Sequence, residues 1–425
     1  MKGTFPYLLF GAFCLFFTLG LLLFHHIPAS LFDQAMDLKL FGPFHIVENY
    51  DSPWFINDAN HPIELLEPRN IIQTRPGLVY LVAGLQKLLS PLRDHLMPFF
   101  LSLGNAKHKD DFFPYALFVL VNYLLLLLSF SIYLRCFQPD IGSNVLGVTF
   151  LGGLLVFNDV TKAFLLTPHT QLFNLLVPLL CFYALREVKD CHLFDRGRLF
   201  VLAFLAGLGV TAYGTFVLFL PSVVIGLVWT VVRDKARIDL RMAGRLALVV
   251  ALTVLPYLAW VFYVRSVTGS FYSVEMTSQH QFVWILPVLR SNPLALIWKL
   301  VVNFWILFGY AASQAIVLPL VLVAAILLTL DREHGLVDRL KRLRRFPLEA
   351  LVVSGLFLLF FAINGEVAPR TSFPAVPALI AGTAVVANDM LTGAAPRRRM
   401  LGNGCIILLV LTQGLITVFK FGPFN

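Results

Sequence analysis

The chain has 425 residues, of which 58% are hydrophobic and 13% charged, about half the charged share of soluble globular domains. So few charges cannot cover two or three water-exposed domains, and 40 Phe residues exclude a disordered chain. The net charge of +9 does not point to nucleic acid, because the basic residues sit in short clusters between apolar runs and form no basic stripe with interleaved aromatics.

In chain order, apolar segments cover roughly 6–24, 76–90, 114–134, 144–157, 170–185, 199–212, 214–232, 246–264, 294–309, 315–330, 347–363, 374–388 and 401–419. Backbone polar groups in a bilayer need internal partners, so these segments predict helices. The expected fold is an all-α polytopic membrane protein with 11–13 membrane helices, built as one integral-membrane domain over residues 1–425. The first run follows Lys2 with no A-x-A site behind it, and reads as a retained helix.

Twenty of the 33 basic residues fall at Lys2, Arg135, 186–198, 233–245, 332–345 and 397–399. This side is assigned to the cytoplasm, with 331–346 as a basic loop that could touch anionic lipid. The outer face then holds 25–75, 158–169, 265–293, 364–373 and the C-terminus. Strict alternation of every segment puts 186–198 on the wrong side. It works if 76–90 and 294–309 make no full crossing. Trp298, Lys299, Asn303 and Trp305 give the second of these an interfacial look. The first outer loop is long enough for one or two juxtamembrane helices, and it holds seven of the 24 acids: Asp33, Asp37, Glu48, Asp51, Asp58, Glu64 and Glu67.

Within that loop, Glu48-Asn49-Tyr50-Asp51-Ser52-Pro53-Trp54 is an acidic and aromatic cluster. A carboxylate here could serve as general base to a hydroxyl; a solvated loop with Trp54 at the interface gives the same pattern. Arg69 and then Arg75-Pro76-Gly77 open the next helix, where Pro belongs in the first turn and free N–H groups favour an anion such as phosphate. An arginine among lipid headgroups is the alternative. His169 follows the second outer turn, as a phosphate donor or as a capped structural histidine. Tyr213-Gly214 reads as a tight turn between two helices. The short turn 364–374 holds Glu366 and Arg370, and a surface ion pair is worth only about 0–1 kcal/mol, so a charged ligand is the better reason for them.

Cys14, Cys181 and Cys405 lie in apolar segments, and Cys136 and Cys191 in loops on the side where thiols stay reduced. No zinc spacing, G-x-S-x-G, Walker A loop or G-x-G-x-x-G pattern is present.

The order of these features resembles a family. A first helix and an acidic outer loop are followed by Arg75-Pro76-Gly77, then by the stretch Pro168 to Phe173 after an outer turn. Ala206-Gly207-Leu208-Gly209-Val210-Thr211-Ala212-Tyr213 is similar to an A-G-L-x-x-x-T-x-Y helix pair, and Arg370 to Pro377 to an R-Y-x-x-P-x-x-P turn. The layout is similar to the GT-C superfamily of integral-membrane glycosyltransferases, which take sugars from polyprenyl-phosphate donors. Two departures stand out: the family's paired acids are replaced by Glu48-x-x-Asp51, with Asp33 and Asp37 as rivals, and Thr371 stands where an aromatic is common.

The resemblance implies that an acceptor hydroxyl on a glycan, lipid or protein attacks the anomeric carbon with inversion, at an outer face that would be periplasmic in a bacterial inner membrane. Asp51, or else Glu48, would take its proton. Arg75 and Arg370, helped by His169, would stabilise the lipid-phosphate leaving group. Tyr50, Trp54, Arg69 and Glu366 complete the implied binding residues, membrane lipid is the other partner, and no nucleic acid is expected. The superfamily admits a divalent metal, though no ligand cluster here requires one. A lipid-linked saccharide transporter, a polysaccharide polymerase or ligase, and a non-catalytic scaffold are the competing readings. A transport path needs polar residues deep in the helices, and Asn122, Asn303 and Gln314 are the main ones, none of them charged.

Overall fold

The computed structural model describes residues 4–25, 35–95, 111–137, 144–190, 197–234, 239–329, 346–392 and 394–420. Among these residues it is all-α, 81% helical, with 18 helices, and it is an integral membrane protein. Seven helices among the described residues are long and apolar enough to cross a bilayer. Leu8, Leu124, Phe262 and Leu408 are exposed on them, as side chains facing lipid would be.

Helix α1 (Phe5–Phe24) leads into a small antiparallel hairpin, β1 (Ala35–Phe41) and β2 (Phe44–Asn49). Short helix α2 (Ser52–Asn60) and a 3-10 turn (Pro62–Leu66) follow in the first loop, beside a hairpin that the sequence reading did not include. Residues 36–40 alternate in polarity, with Gly42 at φ +53° in the turn before β2. That is period-2 hairpin chemistry. Next come α3 (Pro76–Leu88), α4 (Phe112–Arg135), α5 (Val145–Gly152) with a 3-10 extension (Gly153–Leu155), α6 (Asp159–Phe164) and α7 (Phe173–Asp190). They are followed by α8 (Arg198–Val210), a 3-10 turn (Gly214–Leu218), α9 (Phe219–Asp234) and α10 (Leu240–Thr268). The last part holds α11 (Val274–Thr277), α12 (Ile285–Ser291), α13 (Pro293–Gln314), α14 (Val317–Thr329), α15 (Leu348–Asn364), α16 (Pro369–Ser372), α17 (Val376–Thr392) and α18 (Pro396–Phe419).

Contacts between helix ends resolve the alternation problem. Gly77 N–H at the start of α3 donates to Thr211 O (2.9 Å), and Gln86 near its end donates to Ala59 O in the first loop (2.9 Å). Both ends of α3 therefore stay at one face. Helix α13 behaves alike. Lys299 lies over the Trp284 ring (4.5 Å), Asn303 donates to Ala362 O (3.1 Å) and Gln314 to Pro369 O (2.9 Å). Although α13 is long enough to span, its partners all sit at the face that carries the first loop. The other apolar helices among the described residues are α1, α4, α5, α7, α8, α9, α10, α14, α15, α17 and α18.

The opposite face gathers the basic ends. Arg186 donates to Cys136 O (2.6 Å), Arg233 to Lys189 O (3.1 Å), and Lys189 pairs with Glu349. Most of the basic loop 331–346, and Cys191, lie outside the described residues. Cys136 is buried at the end of α4 and not in an open loop, and Cys14, Cys136, Cys181 and Cys405 are free thiols.

The core is aromatic where helices meet. Phe10 stacks on Phe130 at 4.0 Å, and Phe157 packs against Phe13 and Phe17. Buried Lys162 donates to the end carbonyls of α18, at Val418 and Lys420, and Lys420 pairs with Asp159 (3.0 Å). A lysine there satisfies carbonyls that the helix end leaves open. Asn122 does similar work inside α4. Its amide N–H groups face the carbonyls of Phe164, Leu165 and Thr167 at 3.0–3.1 Å. The Asn122→Leu variant is expected to be less stable by about 1–3 kcal/mol, because it leaves buried carbonyls unpaired; thermal unfolding of the detergent-solubilised protein reads this directly.

Candidate functional site

Segments far apart in sequence meet at the face of the first loop. The Asn49 Oδ1 accepts from Asp51 N–H (2.8 Å) and turns the chain out of β2. Asp51 is the N-cap of α2, yet its side chain makes no capping bond. Its carboxylate is directed to His169 instead, at 3.4 Å between Oδ2 and Nε2. His169 is buried between Phe55 and Phe164. Its Nδ1 accepts from Gln171 N–H (3.2 Å), which assigns the proton to Nε2 and makes His169 the donor to Asp51.

Arg75 and Arg370 supply the positive charge. The His169 hydrogen bond is the main reason that the Asp51 carboxyl lies below its ordinary value; burial opposes it, and the charges of His169, Arg75 and Arg370 add to it. Asp51 is therefore an ionised acceptor at neutral pH. Burial pushes His169 down to about 4, with Arg75 and Arg370 adding to the fall and Asp51 opposing it. The folded state thus prefers neutral His169. That contribution to stability is complete above the ordinary value of 6.5 and is lost as pH falls toward 4.

Each arginine is already held by an acid. Arg75 Nη2 meets Glu275 Oε1 at 2.8 Å, and Thr74 and Ser273 hydroxyls donate to the same carboxylate (3.0 Å each). Arg370 bonds Glu366 Oε1 through Nη2 (2.8 Å) and Nε (3.2 Å). Thr371, the departure from the family pattern, closes this turn. Its hydroxyl accepts from Ala368 N–H (3.0 Å) and reaches Glu366 O (2.9 Å).

Beneath the charges lies a neutral polar layer. Gln171 Oε1 accepts from Asn174 Nδ2 (2.7 Å) and from the Tyr213 hydroxyl (3.3 Å). Buried Tyr213 feels the charges of Arg75, Glu366 and Arg370. Ser52 Oγ, Thr170 Oγ1, Asn174 Oδ1 and Thr215 Oγ1 are buried without a protein hydrogen-bond partner.

Two glycines let the segments close in. A Cβ on Gly77 would come within 2.3 Å of Thr211 Oγ1 and 3.0 Å of the backbone at 211–212. Gly77→Val is expected to push α3 off the 211–213 turn and cost about 1–3 kcal/mol; a lower melting temperature checks this. Gly365 ends α15 at φ +90°, and a Cβ there would meet Trp284 Nε1 at 2.3 Å. Only glycine suits both demands.

The remaining predicted residues fall around this centre. Glu48 is 5% exposed on β2. Burial, with Asp111 adding like charge, raises its carboxyl to about 7. A raised value gives stability that is full below the ordinary 4.5 and is lost as pH rises through 7. Glu48→Gln is therefore expected to be more stable than the parent above that value, by about 1–3 kcal/mol, with no gain at low pH; melting curves across pH test the sign. Tyr50 and Trp54 are exposed on the surface of the loop. Arg69 is exposed and takes a left-handed backbone at φ +69°. Asp33, and the side chain of Asp37, lie outside the described residues.

Sequence reasoning missed Glu275, Gln171, Asn174, Gln73 and Gln281. Gln73 ties the loop together. Its amide donates to Leu65 O (2.9 Å), its Oε1 accepts from Tyr272 N–H (2.7 Å), and its carbonyl accepts from Trp260 (2.8 Å). The one available signal for Glu275 was an acid in an outer loop next to Ser273, a helix-start residue.

No group of three or more His, Cys, Asp or Glu side chains suited to a metal occurs among the described residues. No protein-family model matches the chain, and neither does any curated protein or solved structure.

Proposed function

We propose that the chain is a membrane glycosyltransferase of the GT-C kind, which moves a sugar from a polyprenyl-phosphate donor to an acceptor hydroxyl at the face of the first loop. The observation that carries this reading is one ionised, histidine-oriented carboxylate that lies within the electrostatic reach of two arginines far apart in sequence.

In the reaction the acceptor oxygen forms a bond to the anomeric carbon while the bond to the phosphate oxygen breaks. Asp51 takes the acceptor proton. A carboxylate of low basicity suffices, because the oxygen becomes strongly acidic as it bonds to carbon. Neutral His169 donates to Asp51 and fixes its direction. Arg75 and Arg370 stabilise the negative charge gathering on the lipid phosphate. The unpartnered Thr170, Asn174 and Thr215 atoms suit a hydroxyl-rich ligand better than a charged one. The polyprenyl chain lies along the apolar outer surface of the helices, and the acceptor is a glycan, lipid or protein. We place the site on the periplasmic side of a bacterial inner membrane.

Asn122, Asn303 and Gln314, the residues that a transport path would use, are engaged with backbone carbonyls. That favours transfer at the membrane surface over passage through it. Purified protein incubated with a panel of polyprenyl-phosphate sugars and candidate acceptors is expected to give a product of inverted anomeric configuration. Donors that bind but are never consumed would instead support a transporter.

A further inference from the structure

The segment that joins α10 to α13, residues 269–291, lies across the site and is fastened on both sides of it. On one side Glu275 occupies a cradle of donors made by Arg75, Thr74 and Ser273. On the other, Gln281 donates to Glu366 Oε2 (2.8 Å) and accepts from Asn364 (2.8 Å), while Phe282 N–H donates to Asn364 O (3.0 Å). His280 and Phe282, both non-glycine, are held at φ +53° and +61° close to the second fastening. Such backbone persists only where surrounding contacts impose it.

The first fastening has the chemistry of an anion site. The Arg75 guanidinium and the Thr74 hydroxyl, 200 and 201 positions away, converge on a carboxylate that is only 15% exposed, and Ser273 of the strap adds a third donor. A phosphate ester presents the same charge to the same donors, with more oxygens. Resting on the phosphate reading of Arg75 above, we propose that residues 269–291 form a strap latched by Glu275. A phosphate ester bound at Arg75 displaces the Glu275 carboxylate and frees residues 274–279, while Tyr272, held by Gln73 (2.7 Å), and the Gln281 end stay fixed. No covalent bond changes; one carboxylate leaves and one phosphate arrives. The strap then opens only to a ligand that competes for Arg75, which couples donor binding to access.

The test uses the full chain in neutral detergent with monododecyl phosphate as probe and dodecyl maltoside as control. Glu275→Gln removes the internal competitor and is expected to bind the probe about tenfold more tightly than the parent. In the parent, probe binding is expected to speed hydrogen exchange at residues 276–279, whose amides bond to Ser273 and Val274. Exchange at 281–285 is expected to change little. Equal affinity in the two proteins overturns the latch and leaves the phosphate reading of Arg75 standing, and so does probe binding without faster exchange at 276–279. No binding by either protein overturns both. The parent's exchange pattern decides the matter if Glu275→Gln does not fold.

Discussion

Replacing Asp51 with Asn is expected to lower the turnover of sugar transfer by about 10²–10⁴-fold. The amide keeps the shape and still accepts from His169 Nε2, but it cannot take a proton. Asp51 is about half exposed and caps nothing with its side chain, so thermal stability is expected to change by no more than about 0.5 kcal/mol. The measurement is kcat on protein shown to be folded by its melting curve. Full activity in the variant moves the base to Glu48, Asp33 or Asp37. Glu48 is the weaker candidate on geometry, since its buried carboxyl has Asp111 as its charged neighbour.

The second large effect belongs to the arginines. Arg75→Gln and Arg370→Gln are each expected to lower kcat by about 10²–10³-fold, the cost of removing a donor from developing charge. Each variant also leaves its partner acid, Glu275 or Glu366, without its cation. The double variants Arg75→Gln/Glu275→Gln and Arg370→Gln/Glu366→Gln separate the two consequences. They are expected to regain the melting temperature lost by the single variants while transfer stays low. Restored transfer in the double variants would make the ion pairs structural and nothing more. Lysine at either position keeps the charge but not the fork, and is expected to recover only part of the rate.

Much of the architecture was legible because bilayer physics writes it into long apolar runs. Basic-loop alternation set the weak segments 76–90 and 294–309 apart from the crossings, with Trp298, Lys299, Asn303 and Trp305 as a second sign for the latter, and Gln86 on Ala59 and Gln314 on Pro369 are the contacts that keep α3 and α13 at one face. The site was legible in its charges. Asp51, Arg75, His169, Glu366 and Arg370 stood out as polar residues in the outer loop and turns beside apolar helices, although a solvated loop, a headgroup arginine and a capped histidine gave the same pattern. Their pairing was not legible. No spacing rule links residue 75 to residue 275, and Gln171 and Asn174 look like ordinary polar residues at a helix start until Tyr213 is placed against them. The hairpin at 35–49 was missed because a short alternating stretch is a weak signal beside long helical runs.

The central claim is that Asp51 and the two arginines make and break a glycosidic bond at the face of the first loop. Release of polyprenyl phosphate from a labelled polyprenyl-phosphate sugar, followed with and without acceptor in the parent and in Asp51→Asn, tests it most directly. The account predicts acceptor-dependent release by the parent and loss of that release in the folded variant. Tight donor binding with no release from any sugar in the panel would contradict it.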